Sequence, residues 1–334
     1  MRKACFVIPY FGKMPSNFRV FLKTCRENPE FDWLIITNDE GEYPYAGNVH
    51  VKIMQFSEFV NRVQDCFDFR ISLERPYKIC DYRAAFGIIF AEELKEYLFW
   101  GHCDTDEYFG NIASFITDDV LQQYDKILCL GHFTLFRNIP EINGMYLVED
   151  EKYRQSYRDA FTTGAHWIFD EWPKDRTSIN RIFKQQKVKT FYNSDCFCDL
   201  VPFKSCFRRT LLDQNTEEWT LDTVKNEVYL WDCGQLYRCW NENGSLQKEK
   251  ILYVHIRQRA MCLKAFDEQQ SSFLIVPNRI ISKNMFSDAE ILKYLRSAEL
   301  RGLYYPDEIA RKAHNIRTLF CLAVRKIKRL AKRQ

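Results

Sequence analysis

Through the first 130 residues, short apolar runs of strand length alternate with stretches carrying a helical stripe. No other feature of the chain restricts its fold as tightly. Residues 4–8 (Ala-Cys-Phe-Val-Ile) form a continuous apolar run closed by Pro9 and Gly12, the pattern of a parallel strand buried on both faces. Residues 17–26 place Phe18, Phe21, Leu22 and Cys25 on one helical face. Residues 32–37 and 49–54 read as further strands and 57–68 as a helix. Residues 81–97 read as one helix with Phe86, Ile89, Phe90 and Leu94 as its buried stripe, followed by an apolar run into Asp104, and 126–130 as another buried strand. Such alternation predicts an α/β fold with a mainly parallel central sheet flanked by helices.

The second half differs. Residues 228–240 predict a hairpin turning at Cys233-Gly234, 241–244 a second turn, and 250–256 a strand. Beyond about residue 285 the pattern is helical. The expected organisation is a main domain over 1–285 and a helical C-terminal region over 286–334.

Length and composition allow one substantial core. Aromatic residues make up 16% of the chain, a load that serves cores first and sugar-binding faces second. The formal charge of +3 is too small to make nucleic acid the main partner. Thirteen cysteines without a CxxC pair, and an N-terminus lacking a secretory apolar region, lead to the expectation of reduced thiols in a cytoplasmic protein. No stretch approaches the roughly 20 apolar residues that span a membrane.

Asp104-Thr105-Asp106 is the central chemical signal. In extended geometry its two carboxylates share a face, about 7 Å apart at Cα. Two charges at that range repel by about 2–3 kcal/mol at an effective dielectric near 20. A divalent cation removes that repulsion, and Mg²⁺ or Mn²⁺ takes oxygen ligands together with substrate phosphates. The pair falls at the carboxyl end of a strand, where open α/β sheets bind ligands. Two solvated loop carboxylates would give the same spacing.

Five short blocks stand in order around this pair: Ile8-Pro9-Tyr10-Phe11-Gly12, Pro76-Tyr77-Lys78-Ile79-Cys80-Asp81, Phe99-Trp100-Gly101-His102-Cys103-Asp104-Thr105-Asp106, Gly131-His132-Phe133-Thr134-Leu135 and His255-Ile256-Arg257-Gln258-Arg259. Over residues 4 to 260 this layout resembles GT-A glycosyltransferases. More closely, it is similar to a bacterial family described mainly as glycosyltransferases of capsular or cell-wall polysaccharide loci. The resemblance implies a GT-A-like fold in which Asp104 and Asp106 hold Mn²⁺ or Mg²⁺ with His255 as a late third ligand, the cation bridging the diphosphate of a UDP-linked sugar. It gives Asp81 and Arg83, with Lys78 in the same block, a place near the donor sugar, and Pro9, Tyr10 and Phe11 one near the base. Asn38 and Asp39, leaving the second strand, would meet base or ribose. By the period of two, Arg257 and Arg259 would share a strand face and clamp the diphosphate.

Each residue has a plain structural alternative. His255 can be a strand-end histidine, Arg257 and Arg259 surface cations, Asp81 a helix cap, and His132 a packed histidine rather than one facing the acceptor. For a catalytic base, Asp170, Glu171, Asp195 and Asp232 are all open, and a retaining reaction needs none of them.

Residues 311–333 carry Lys312, Arg317, Arg325, Lys326, Lys328, Arg329 and Lys332 with no acidic residue, opposite an apolar face. Such a basic amphipathic helix can lie on the anionic inner face of the membrane, near a lipid-linked saccharide acceptor, or dock on its own domain. The function expected is transfer of a sugar from a nucleotide donor to a glycan acceptor in surface polysaccharide synthesis. The competing readings are a phosphoryl-handling enzyme and a non-catalytic carbohydrate-binding protein.

Overall fold

Strands β1 (Arg2–Tyr10), β2 (Phe31–Thr37), β3 (Val49–Ile53) and β4 (Tyr97–Cys103) run parallel, side by side, in the order β3-β2-β1-β4. They belong to a computed structural model that describes residues 2–193, 196–201, 206–213, 218–224 and 226–296. The continuous apolar runs have a simple cause. Ala4, Phe6 and Ile8 enter one core with Trp33 and Ile35, while Cys5 and Val7 enter a second with Leu34 and Ile36. Both faces of the sheet are covered, so alternation of polarity is lost. The protein is α/β.

The chain reaches β5 (Glu107–Phe109) directly from β4, then returns to the first sheet through β6 (Lys126–Leu130) and β7 (Phe133–Arg137). β7 lies antiparallel to both β4 and β6, and β8 (Thr190–Phe191) completes seven strands by pairing parallel to β6. The two-residue loop Gly131-His132 joins β6 to β7. Because Phe133 pairs with Cys103, this loop is delivered to the carboxyl end of β4.

Two further sheets, largely antiparallel, include the expected hairpin over 228–240 and the expected strand before residue 256, while their other strands were not foreseen from the sequence. β9 (Phe197–Leu200), β10 (Phe207–Asp213) and β11 (Glu218–Val224) lie beside β15 (Tyr253–His255) and β5 in the order β11-β10-β9-β15-β5. β12 (Glu227–Asp232), β13 (Gln235–Glu242) and β14 (Ser245–Lys250) join β16 (Cys262–Ala265), β17 (Ser272–Val276) and β18 (Arg279–Lys283) in the order β14-β13-β12-β17-β18-β16. The expected turn at Cys233-Gly234 links β12 to β13, with φ of 45° and 82°. The strand expected over 250–256 is shorter, spanning only β15.

The helix expected over 81–97 does not form. Pro76–Ala85 is a 3-10 helix, Phe86–Ile89 and Ala91–Leu94 are single turns, and β4 begins at Tyr97. A helical stripe presumes one buried face, whereas Lys78, Ile79, Asp81, Tyr82, Ala84, Ala85, Phe86 and Gly87 are nearly all enclosed. Gly87 lies against the Trp100 ring, where an added Cβ would meet ring atoms at 2.6 Å.

The helix Asp288–Leu295 starts with a Ser287–Glu290 capping box and packs Ile291 and Leu295 on Val228, Leu230, Leu274 and Val276. The basic stretch 311–333 lies outside the described residues. Among those described, no helix is long and apolar enough to cross a membrane, and the twelve cysteines are free thiols.

Candidate metal centre

Strand order reverses at β1, which has β2 on one side and β4 on the other. A parallel sheet leaves a crevice at such a point, beyond the carboxyl ends of its strands. Asp104 follows β4 there, and Tyr10 ends β1. Asp104, Thr105 and Asp106 form the turn that carries the chain out of the first sheet and into β5 of the second. The extended geometry expected from the spacing is therefore replaced by a turn. Its environment is unequal: the Asp104 side chain is 32% exposed, while Asp106 is buried.

Sheet register brings the remaining groups in. β15 lies between β5 and β9, with His255 opposite Glu107 on one side and Asp199 on the other. His255 Nδ1 is 2.9 Å from Asp199 Oδ1, and its Nε2 is 3.5 Å from Asp106 Oδ1. One ligand atom each from Asp104, Asp106 and His255 falls within 4.8 Å of the others. These are the three residues expected as ligands, and a set of two carboxylates and one imidazole fits a divalent ion such as Mn²⁺ or Mg²⁺.

His132, at the tip of the β6–β7 loop, stacks on His255 with ring centroids 4.3 Å apart and hydrogen-bonds Glu107 Oε1 at 2.9 Å. Its own backbone carbonyl accepts from the Asp104 amide at 3.1 Å. His132 is thus part of the centre's wall. Burial first, then the charge of His255, pushes its pKa down to about 3. His255 moves the opposite way. Burial opposes its charge, but Asp106 and Asp199 outweigh burial and hold its pKa well above the ordinary value. Glu107 is fully buried, and Asp104 and Asp106 add to that burial in raising its pKa; its Oε2 has no hydrogen-bond partner. Three carboxylates within four residues thus crowd one buried corner, the condition a cation relieves.

Arg83 reaches this corner from the 3-10 helix, binding Asp104 Oδ1 through Nη2 and Asp170 Oδ2 through Nη1 at 3.0 Å. Burial, opposed by Arg83, pushes the Asp170 pKa up to about 8. Glu171 is exposed over Gly131, close enough to Arg83, Asp104 and Arg257 to feel their charges.

Asp81 and Lys78 are placed differently from expectation. Lys78 Nζ donates to Asp81 Oδ2 at 2.8 Å and to the carbonyls of Ala160 and Ala165 at 2.7 Å each. Asp81 also accepts from the amides of Trp167 and Phe169. Both side chains are buried, and these bonds hold the segment before Asp170, where Asp81 also lies 3.9 Å from His166 Nε2 and falls with His166 and Asp170 in a second group that could hold a metal ion. The capping alternative fails too, because Arg75 occupies the N-cap.

The arginine pair is also corrected. β15 ends at His255, and Arg257 and Gln258 adopt φ of 53° and 57°, so the period of two does not continue. Asp106 holds this turn, its carbonyl accepting from the Ile256 amide and its Oδ2 from the Gln258 amide. Arg257 stays at the centre, 3.6 Å from Asp199 Oδ2. Arg259 is buried elsewhere, donating to the carbonyls of Pro277 and Val201.

At the end of β1, Tyr10 is half-buried near Asp106 and Asp39, and burial followed by these charges raises its pKa. Pro9 lies within β1, and Phe11 packs its ring against Phe56 and Phe59 at 5.2 and 5.3 Å. Asn38 Oδ1 accepts from the Gly12 amide and Asp39 Oδ2 from the Met14 amide, tying the loop after β1 to the end of β2. Of the remaining base candidates, Asp232 ends β12 in the third sheet, bonded to Ser272, and Asp195 lies outside the described residues.

Asp199 is the group that sequence reasoning missed. Nothing local marks it within Phe197-Cys198-Asp199-Leu200; its place comes from pairing with a strand 56 residues later.

A protein-family profile described as "Family of unknown function (DUF6625)" matches residues 6–284. No curated protein and no solved structure matches the chain.

Proposed function

The chain belongs to the DUF6625 family, and from its site we propose that it is a metal-dependent glycosyltransferase of GT-A type, moving a sugar from a UDP-linked donor to a glycan hydroxyl. The observation that carries this reading is the convergence of Asp104, Asp106 and His255 within 4.8 Å at the strand-order reversal. Support also comes from the β3-β2-β1-β4 order, whose reversal at β1 is the point where open α/β sheets bind ligands.

Asp104, Asp106 and His255 would hold Mn²⁺ or Mg²⁺. Such an ion, when bound, supplies Lewis-acid stabilisation of the charge left on a departing nucleoside diphosphate. Asp199 orients the His255 ring, and Arg83 fixes Asp104 from behind. Tyr10, half-buried near Asp106 at the end of β1, would offer its ring to the base. Glu171, the exposed carboxylate near Arg83 and Asp104, would be the one to meet an acceptor, whereas Asp170 is buried.

The reading is tested by calorimetry of UDP with and without Mn²⁺, followed by a panel of nucleotide sugars monitored for nucleoside diphosphate release. Mn²⁺-dependent UDP binding that disappears in Asp106→Ala is expected, with turnover of at least one donor. Release of inorganic phosphate in place of nucleoside diphosphate would move the protein to the phosphoryl-handling enzymes. Binding without turnover of any donor would leave a carbohydrate- or nucleotide-binding protein.

A further inference from the structure

Across Arg83 from the first centre lies a second group of donors, which the chemistry proposed above leaves unused. Asp81, His166 and Asp170 each offer one ligand atom within 4.8 Å of the others. The charges of Asp81 and Asp170 are each met by one cation, Lys78 and Arg83, and both cations take Oδ2. What singles out this corner is therefore the imidazole. His166 Nε2 is enclosed and has no hydrogen-bond partner, although the side chain as a whole is 23% exposed and so reachable from solvent. A buried polar atom left in this way costs about 1–3 kcal/mol. The atom stands 3.9 Å from Asp81 Oδ1, too far for a hydrogen bond. That gap suits two donors of one ion, because metal–ligand bonds of about 2.1 Å set neighbouring donors about 3–4 Å apart.

The surroundings hold these donors in place. Asp81 Oδ2 accepts from the Trp167 amide at 2.8 Å and Oδ1 from the Phe169 amide at 2.9 Å. Between them Ile168 takes φ of 65°, a rare conformation for a β-branched residue and one that persists only where its neighbours enforce it. The His166 ring packs edge-on against Tyr77 with centroids 4.8 Å apart. Burial lowers the His166 pKa, which favours the neutral ring that a metal requires.

We propose that Asp81, His166 and Asp170 bind a divalent transition ion of the Zn²⁺ kind, separate from the one at Asp104, Asp106 and His255. An imidazole joined to two carboxylates suits such an ion better than the all-oxygen preference of Mg²⁺ or Ca²⁺. The ion would staple residues 166–170 to the 3-10 helix from which Arg83 reaches the first centre. This inference does not depend on the nucleotide-sugar reading.

The test counts Co²⁺, a coloured substitute for Zn²⁺, bound at equilibrium dialysis by the full chain and by His166→Ala, His166→Gln and Asp104→Ala. Near-ultraviolet circular dichroism and the melting temperature of metal-free protein show that each variant is folded. Wild type is expected to bind two ions. Each His166 variant should bind one, with the affinity of the lost site down about tenfold or more, and Asp104→Ala should keep the ion that the His166 variants lose. Zn²⁺ should raise the melting temperature of Asp104→Ala by several degrees and that of the His166 variants less. A single ion lost in the His166 variants but kept in Asp104→Ala would uphold this site and refute the first centre. Equal numbers of ions in wild type and both His166 variants, or none in wild type, overturn the proposal.

Discussion

Asp199 Oδ1 and His255 Nδ1 lie 2.9 Å apart, and the opposite nitrogen of the same ring points at Asp106. A carboxylate on one imidazole nitrogen keeps the proton there and leaves the other as the metal-facing lone pair. Asp199→Ala is therefore expected to weaken Mn²⁺ binding about 10–100-fold, the usual cost of losing such a partner. Asp199→Asn, which retains an acceptor oxygen, should lose less. Titration of free Mn²⁺ measures both, and an Asp199→Ala protein with undiminished affinity would show that the ring is held by other means.

Protonation opposes the ion. With no metal bound, Asp106 and Asp199 overcome burial and keep the His255 pKa raised, so they favour the protonated ring. An entering cation must displace that proton, so its affinity should rise as pH climbs toward the raised pKa, with release of about one proton per ion. Calorimetry in buffers of different ionisation enthalpy reads the proton directly. For metal-free protein the sign is opposite. The raised pKa stabilises the fold fully below the ordinary imidazole value, and that contribution fades as pH climbs through the raised one. A metal affinity that ignores pH would remove His255 from the ligand set.

Much of this was readable in the chain because it depends on local pattern. β1 and β2 are uninterrupted apolar runs since each lies between two cores, and Asp104 with Asp106 stands out as paired charge after such a run. Asp199 was hidden because its role is created by parallel pairing with His255, which no local spacing encodes. Arg259 was misplaced for a subtler reason. Ile256-Arg257-Gln258-Arg259 contains no Gly or Asn, yet Arg257 and Gln258 take the left-handed conformation at about 1–2 kcal/mol each, held by Asp106. The helix expected over 81–97 failed because the count of apolar residues could not reveal that Lys78 and Asp81 were buried as well.

Those two residues make a stability prediction. Asp81→Ala leaves the Lys78 ammonium enclosed with only carbonyl partners and strips the Trp167 and Phe169 amides of their acceptor. A loss of about 3–5 kcal/mol is expected, as for other broken buried pairs. Urea denaturation measures it. The double change Lys78→Met with Asp81→Leu should recover part of that loss, since it removes the stranded charge. A fully stable Asp81→Ala protein with impaired donor binding would restore Asp81 to the ligand contacts.

Gly101 sits on β4 three residues before Asp104, and a Cβ there would lie 2.1 Å from the Thr134 carbonyl of β7. Neither backbone can yield without separating the strands that place His132 beside Asp104. Gly101→Ala is expected to reduce soluble yield and to lower the melting temperature sharply. Differential scanning fluorimetry would detect this, and a normal melting curve would mean that β4 and β7 can part without harm.

The corner that would receive a cation draws on Asp104 and Asp106 from the β4–β5 turn and on a ring from β15, about 150 residues later, which is steadied by β9. Closing so long a segment precedes any reward from coordination. An ion held there would therefore latch a topology already complete and not seed its assembly. Ion affinity would then serve as a readout of whether the last of the three sheet partners has arrived, and damage in β9 or β15 would be expected to register first as an inability to retain the ion.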